Sequence, residues 1–359
     1  MNCLNSTGFL TREEIGNNLQ GKLSITNNVD IAATEEETFG AESNPTENPI
    51  GGNENYQSFI TQIDYLVKTR EELLDALSKA QIGQNIYIDD TAEIDLTGYQ
   101  NIVIPAGVTL ASGRGKIGSL GALLFSDQLD TLPLFKTGGT KVRITGLRLR
   151  GPDPERKNEQ LEELDKQGRY YSIPNSQGIQ SSYARLEVDN CELSGWSHAA
   201  IFLINNSYSY IHHNSIHHNQ RWGLGYGVCL DQAKAFIEAN LFDWYRHAIA
   251  GTGRPGTSYE ASYNLILENA NSYAFDMHGG VDREDGTDIA GDYIKIHHNT
   301  FRATDVYAIL INGRPTQKAD IHHNWFLHNS ISQAVIQQNG FGNFHVFKNL
   351  YSENKILQD

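Results

Sequence analysis

Apolar and polar residues alternate along short segments of the chain from Cys191 onward, and these segments recur roughly every 25 residues. Alternation at period two predicts strands that bury one face, and the strands here are rich in Val, Ile, Phe and Tyr. A repeat of this length is typical of a solenoid, whereas propeller blades need about 40 residues. The pattern therefore predicts an all-β fold, a single-stranded right-handed parallel β-helix in which each repeat forms one coil.

Two columns of asparagine run through the repeats. The first column contains Asn214, Asn240, Asn264, Asn299, Asn324 and Asn349. Stacked coils lie about 4.8 Å apart, so that amides in one column can form a hydrogen-bonded ladder, and Asn tolerates the left-handed backbone of a tight bend. The second column lies five residues further along each repeat: Asn219, Asn269, Asn329 and Asn354. Tyr245 interrupts this second column, and such a departure from repeat logic predicts a functional position.

The N-terminal part of the chain differs from the rest in composition. Residues 1–55 are rich in Asn, Thr, Glu, Gly and Ser with little apolar periodicity, which predicts a disordered tether. Residues 56–359 are predicted to form one β-helix domain. Within it, Thr69 and Glu72 have the spacing of a capping box, which predicts a short helix that covers the open end of the first coil.

Each coil offers a further strand that can be aligned with its neighbours. These segments are Ala199–Asn205, Tyr226–Gln232, His247–Gly253, Tyr273–Gly279, Tyr307–Gly313 and Gln333–Asn339. If the third and fifth positions point into the coil, the fourth and sixth point outward. This register places Asp231, Thr252, Asp276 and His278 together on one outer face.

Further chemistry-bearing residues lie beside this face, in the preceding bends and in two insertions, 151–177 and 279–291, which we expect to wall a groove. The candidate catalytic residues are Arg246, His247, His278, Tyr226 and Tyr245. The candidate substrate-binding residues are Arg221, Asp231, Thr252, Asp276, Arg283, Trp222 and Trp244. No set of metal ligands is assigned from the sequence.

The charge of the chain limits its partners. It carries 43 acidic and 28 basic residues, a formal net charge of −15, which argues against binding to nucleic acid or to anionic membranes. No apolar stretch reaches the length of a membrane span. We expect a secreted or cell-surface monomer, although no basic, apolar leader is visible in the sequence.

The pattern resembles the pectate-lyase-like superfamily of right-handed parallel β-helix proteins over residues 65–359. Residues 95–98 (Asp-Leu-Thr-Gly), residues 104–110 and the asparagine coils carry the resemblance. Arg246 and His247, followed by Ala248, are similar to an Arg-His-Gly stretch of the β-helix alginate lyases and chondroitinases. There the arginine acts as catalytic acid and a lysine one coil earlier as base; here that coil offers Tyr226. The resemblance implies cleavage of an acidic, uronate-containing polysaccharide such as alginate or pectate.

The residues leave three functions open. A lyase that works by β-elimination would neutralise the uronate carboxylate with Arg246 and move the proton with His247, His278, Tyr226 or Tyr245. An inverting glycoside hydrolase would instead use Asp231 and Asp276. A non-catalytic carbohydrate-binding surface protein would need neither a proton-transfer group nor a pair of catalytic carboxylates. We expect the lyase, with no obligatory cofactor, and Ca²⁺ is the cation that such a site admits.

Overall fold

Three long sheets, which wind around a common axis, form the protein. The computed structural model describes residues 37–156, 163–164, 166–169, 172–352 and 356–358. Each coil contributes one strand to sheet 1, then one to sheet 2 and one to sheet 3, and strands of successive coils pair in parallel. The predicted right-handed parallel β-helix is therefore confirmed.

The bounds of the strands follow the repeat. The strands of sheet 1 are Tyr65–Val67, Asn85–Ile88, Thr109–Ala111, Arg143–Thr145, Leu186–Asp189, Tyr208–His212, Lys234–Glu238, Ser258–Ser262, Tyr293–His297, Lys318–His322 and Phe344–Phe347. Those of sheet 2 are Glu93–Asp95, Leu123–Phe125, Arg148–Arg150, Glu192–Ser194, Ser215–Asn219, Leu241–Tyr245, Leu265–Ile266, Thr300–Phe301, Trp325–Phe326, Asn349–Tyr351 and Ile356–Gln358, the last one antiparallel to its neighbour. Those of sheet 3 are Ile102–Ile104, Phe135–Thr137, Gln177–Ser181, Ala199–Ile204, Tyr226–Asp231, His247–Gly251, Phe275–Met277, Ile309–Ile311 and Val335–Gln337.

The interior is a continuous apolar core in which like residues lie above like residues. Phe301, Phe326 and Tyr351 stack in successive coils with ring centroids 5.0 and 5.5 Å apart. At the end near residue 70, helix α1 (Arg70–Lys79) covers the core with Leu73, Ala76 and Leu77. Its predicted capping box is present, since Thr69 and Glu72 bond each other's backbone N–H. The helix thus protects an end that would otherwise expose apolar side chains to water. Two one-turn helices, Gly280–Arg283 and Ile331–Ala334, and the 3₁₀ turn Ala41–Ser43 lie outside the coils.

The first asparagine column forms the predicted ladder at the bend between sheets 1 and 2. From Asn214 to Asn324, each side-chain amide donates to the amide oxygen of the asparagine in the next coil at 2.9 to 3.0 Å; Asn349 accepts the last of these bonds, and all six residues are buried. The left-handed backbone belongs to the residue before each asparagine, as at His213, Tyr263 and His323. The asparagine itself is therefore selected for its two-sided amide and not for its tolerance of the bend.

Histidines at this bend form two stacks on the outside of the coil. His297 stacks on His322 with centroids 5.3 Å apart, and His298 stacks on His323 at 5.0 Å. Burial lowers the pKa of His298 to about 4 and that of His322 to about 3, and the neighbouring histidines add to both shifts. His298 and His322 are therefore neutral in the folded protein at neutral pH.

We expect acid to destabilise the protein through these stacks. In the unfolded chain the imidazoles bind protons near their ordinary pKa of 6.5, whereas His298 and His322 in the fold bind them only near 4 and 3. Between those values the unfolded state holds more protons, so that the free energy of unfolding falls as the pH falls from about 6.5 toward 4. Denaturant titrations at several pH values measure this slope. The variant His298→Asn/His322→Asn should show a shallower slope; an equal slope in both proteins would contradict the expectation.

Residues 38–56, which we call the strap, run along the outside of the coils. The backbone N–H of Gly40 donates to the carbonyl of His323, that of Gly51 to the carbonyl of Ala239, and that of Asn53 to the side chain of Asn190. This part of the predicted tether is thus bound to the β-helix, because backbone groups, turns and single side chains, which leave no apolar periodicity, make the contacts. Residues 1–36 of that prediction lie outside the described residues.

Tyr56 fixes one end of the strap to a buried ionic network. Its hydroxyl donates to the Asp189 carboxylate at 2.7 Å, which also pairs with Arg143 at 2.7 Å. We expect Tyr56→Phe to lower the free energy of unfolding by about 1.5–3 kcal/mol, the range for a hydrogen bond to a charged group. Urea unfolding measures the change. Tyr183→Phe, at an exposed position, is the matched control and should shift stability by no more than about 0.5 kcal/mol; equal effects would argue against the contact.

Candidate functional site

The outer face of sheet 3 gathers most of the candidate residues. In the strands that begin at Tyr226 and His247, the second, third and fifth positions belong to the interior, as Val228, Leu230 and Ile249 show by their burial in the main core. The first, fourth and sixth positions face outward, where Tyr226 packs in a separate small apolar cluster that includes Cys229. The register predicted from the alternation is therefore the one the chain adopts.

An aromatic column forms along the first position of these strands. The His247 ring lies between Tyr226, at 5.7 Å and 13°, and Tyr273, at 6.2 Å and 14°. Tyr307 continues the column at 6.1 Å from Tyr273. The aligned first positions of the repeats already read Tyr, His, Tyr and Tyr, a signal that the sequence reasoning did not use for Tyr273 and Tyr307.

Arg246 and Tyr226 form a pair at one end of this column. Arg246 Nη1 donates to the Tyr226 hydroxyl at 3.3 Å, and the guanidinium lies 5.8 Å from the centre of the ring. Burial raises the pKa of Tyr226, and the positive charge of Arg246 acts in the opposite direction. A cation and a phenol are thus held in contact on the outer face.

His247, Asp276 and His278 form a compact group beside this pair. Asp276 Oδ2 lies 3.2 Å from Nε2 of His247 and 3.1 Å from Nε2 of His278. The side chain of His247 is 1% exposed, that of Asp276 5% and that of His278 32%. The structure therefore brings these three predicted residues together, but only His278 is accessible to a polymer.

The three groups shift one another's ionisation. Burial lowers the pKa of His247 to about 3 despite the nearby carboxylate. Burial works to raise the pKa of Asp276, but the two histidines outweigh it and hold that pKa below its usual range. Burial likewise works to lower the pKa of His278, and the hydrogen bond and charge of Asp276 bring it above its ordinary value. At neutral pH the group therefore contains an ionised carboxylate and a neutral, buried His247.

Asp231 and Thr252 lie along the sixth position of the same face. Thr252 donates its hydroxyl to Asp231 at 2.8 Å, and Arg254 pairs with the same carboxylate at 3.0 Å. Asp231 is half-buried and Arg254 is exposed. These groups remain candidates for contact with a substrate.

Tyr245 does not belong to this surface. Its side chain is buried in the main core, and its hydroxyl donates to the backbone carbonyl of Leu267 at 3.3 Å. Tyr245 pairs in register with Asn219 of the preceding coil, whose side chain is also buried, so the position of Tyr245 points inward in these two coils. The interruption at Tyr245 thus reflects packing, and the prediction of a catalytic role for this residue was wrong.

Arg221 and Arg283 both donate hydrogen bonds to groups within the protein. Buried Arg221 pairs with Asp153 at 2.5 Å and donates to the carbonyl of Pro174 at 2.6 Å, so that it ties both ends of the first insertion to the coil. Arg283 donates to the carbonyls of Thr252 and Ile289 at 2.7 and 3.0 Å. Both were predicted to bind substrate, and the structure gives them an anchoring role instead, because insertions bring backbone carbonyls that need donors.

The two predicted tryptophans are about half exposed, Trp222 at 46% and Trp244 at 42%. Trp244 stacks on His218 with centroids 5.5 Å apart, at the bend before Arg246. Trp222 lies in the turn that follows Arg221 and is therefore close to the ends of the first insertion. Both rings are thus partly exposed at the surface, and their stacking on a sugar stays a prediction.

An open cavity of about 720 Å³ lies at the far end of the aromatic column. Tyr307, Asp305, Arg302 and His328 are among its lining residues. Its polar lining and its position beside Tyr307 extend the candidate surface beyond the strand of His278.

These features define the class: a parallel β-helix with a cationic, phenolic and imidazole-rich patch on the outer face of one sheet. A family model described as a right-handed beta helix region matches residues 170–357, more than half of the chain, and the protein belongs to this family. Among solved structures the chain is similar to a family 28 exopolygalacturonase from Yersinia enterocolitica. The two share 10% sequence identity and a TM-score of 0.46, over 82% of this chain and 76% of the other. No curated protein matches the sequence.

Proposed function

We propose that the protein is a polysaccharide lyase that cleaves an acidic, uronate-containing polymer by β-elimination. The observation that carries the proposal is the contact between Arg246 and the Tyr226 hydroxyl on the outer face of sheet 3. β-Elimination needs a positive charge at the uronate carboxylate and a proton-transfer group next to it. Of the predicted proton-transfer groups, Tyr226 is the one bonded to the predicted cation.

The reaction follows from this geometry. Arg246 binds the carboxylate and makes the proton on the adjacent C5 more acidic. Tyr226, as phenolate, takes that proton while the bond between C4 and the glycosidic oxygen breaks and a C4=C5 double bond forms. The phenol then returns the proton to the leaving oxygen, so that no water is consumed. In the free protein burial keeps the proton on Tyr226, and the Arg246 guanidinium is the group that stabilises the phenolate.

The other predicted bases have less suitable positions. His247 Nδ1 bonds the Tyr273 carbonyl at 2.6 Å and its Nε2 faces Asp276, and the Nε2 proton of His278 is donated to Asp276. For the alternative hydrolase, Asp276 is buried, and the hydrogen bond from His278 favours its ionised form. An inverting enzyme needs one protonated carboxyl group, and Asp276 is a poor candidate for it.

One experiment separates the three functions. The protein is incubated with alginate, pectate and a neutral polysaccharide, and both the ultraviolet absorbance of unsaturated products and the number of reducing ends are followed. An increase in both signals with an acidic polymer supports the lyase. Reducing ends without absorbance would indicate a hydrolase, and binding without either signal would indicate a non-catalytic protein; both outcomes contradict the proposal.

The expected location of the protein follows from this substrate. Because polysaccharides of this kind are met outside the cell, we expect a secreted or cell-surface enzyme that acts as a monomer. In the described part of the chain, no helix is long and apolar enough to cross a membrane. Asp231 and Thr252 on the outer face of sheet 3, and Trp222 and Trp244 in the preceding turns, are proposed to contact the polymer, whereas the predicted contact of Asp276 is prevented by its burial.

A further inference from the structure

The buried imidazole of His247 is held with a defined nitrogen free. Its Nδ1 lies 2.6 Å from the backbone carbonyl of Tyr273. A carbonyl only accepts, so this nitrogen carries the proton, and the neutral ring presents a lone pair at Nε2. Nε2 is buried and has no hydrogen-bond partner among the described residues. A backbone carbonyl that fixes the imidazole in this way is the usual arrangement around a metal-binding histidine.

The lone pair of His247 points at a second group of electron donors. Asp276 Oδ2 lies 3.2 Å from Nε2 without forming a hydrogen bond to it, and Oδ1 of the same carboxylate is also buried without a partner in the described structure. A lone pair that faces a carboxylate in a water-poor site is repulsive, and unpaired buried polar atoms are costly. A positive ion between these atoms would satisfy both.

His278 supplies the third ligand atom, and its exposed side provides the route by which an ion enters. Its Nε2 lies 3.1 Å from Asp276 Oδ2, and the ligand atoms of His247, Asp276 and His278 all lie within 4.8 Å of one another. Ligands about 2.0–2.1 Å from a tetrahedral metal are separated by roughly 3.3 Å, close to the two measured spacings. The side chain of His278 is 32% exposed, so that an ion can enter past it. The Nε2 proton of His278 must leave on binding, as for any metal-bound imidazole.

The donor set selects the kind of ion. Two imidazoles and one carboxylate suit Zn²⁺ and its neighbours among the transition metals, whereas Ca²⁺ and Mg²⁺ prefer sets made of oxygen alone. Three protein ligands also leave one position open, as in catalytic metal sites. The other group of this kind among the described residues, Glu187, Asp189 and His212, is less suitable because Arg143 and Tyr56 already bond Asp189.

We propose that His247, Asp276 and His278 bind a divalent transition metal ion of the Zn²⁺ type, with one position open toward the outer face of sheet 3. The binding itself is independent of the catalytic proposal. Its role rests on that proposal: an ion next to Arg246 would help to hold the uronate carboxylate.

The test measures binding directly. Protein that has been treated with a chelator is titrated with Zn²⁺ by calorimetry and with Co²⁺ by visible absorption, which reports the coordination geometry. We expect one site per chain with tetrahedral Co²⁺ bands, and a loss of affinity of about 100-fold or more in His278→Ala and in Asp276→Asn. His278 is the main variant because it is half-exposed, and circular dichroism verifies that each variant is folded.

The stacked histidines at the bend between sheets 1 and 2 provide the control, because they are the competing source of imidazole. His298→Ala should leave the affinity and the Co²⁺ spectrum unchanged. Unchanged binding in both His278→Ala and Asp276→Asn, or loss of binding in His298→Ala alone, would overturn the proposal. Lyase activity that survives complete removal of metal, together with absence of binding, refutes the metal site and leaves the proposed function intact. Metal binding without cleavage of any acidic polymer supports the metal site and refutes the proposed function.

Discussion

We expect Tyr226→Phe to lower turnover on an acidic polysaccharide by about 10²–10⁴-fold, the range for loss of a general acid or base. The phenylalanine keeps the ring between Arg246 and His247 and removes the one atom that exchanges the proton. Binding of the polymer should change little, because Arg246 and the rest of the face remain. Initial rates of absorbance increase, measured over a range of polymer concentrations, separate turnover from binding.

The matched control is Tyr273→Phe. Tyr273 lies in the same aromatic column and stacks on the other side of His247, and its hydroxyl group has no described contact with Arg246. Its variant should retain turnover within a few-fold. Similar losses in both variants would show that the column acts through packing alone, and full activity in Tyr226→Phe would remove the tyrosine from the mechanism.

The second large effect concerns stability. Asn264→Ala should lower the free energy of unfolding by about 3–5 kcal/mol, since each buried polar group left unpaired costs about 1–3 kcal/mol. The Asn264 side chain accepts from both the backbone and the side chain of Asn240 at 3.0 Å and donates to Asn299 at 2.9 Å and to the Ile237 carbonyl at 2.8 Å. Its removal therefore leaves polar groups in the two neighbouring coils without their hydrogen-bond partner.

Asn329→Ala is the matched control, because it makes the same substitution at an exposed position of another coil. It should change the free energy of unfolding by no more than about 0.5 kcal/mol. Urea titration followed by circular dichroism gives both values. A small effect at Asn264 would mean that water or neighbouring residues replace the amide, and the ladder would then contribute little to stability.

The fold could be predicted from the sequence because the same pattern of residues recurs in coil after coil. Six successive coils repeat the same asparagine, as Asn240 and Asn324 show, and the alternation of apolar residues recurs with it. The capping box of Thr69 and Glu72 is likewise a local signal that needs no tertiary context. Periodicity and local spacing thus sufficed for the sheets, the ladder and the terminal helix.

The site was predicted only in part. The direction of a side chain at a bend, and the hydrogen bonds that an insertion makes with the coil, both depend on tertiary structure. Arg246, His247, Asp276 and His278 come together as the outward register requires. Tyr245 turns inward to the core, and Arg221 is occupied by the insertion that it anchors. Neither outcome can be inferred from the pattern of the repeat.

The strap should change how the β-helix unfolds. In a simple solenoid each coil is coupled only to its neighbours, so the ends can fray while the middle persists. Here one segment bonds coils as distant as those of Asn190 and His323. Losing a terminal coil therefore also loosens the strap on inner ones, which favours a single cooperative transition. A protease cut within the strap should convert this transition into stepwise unravelling from the free end.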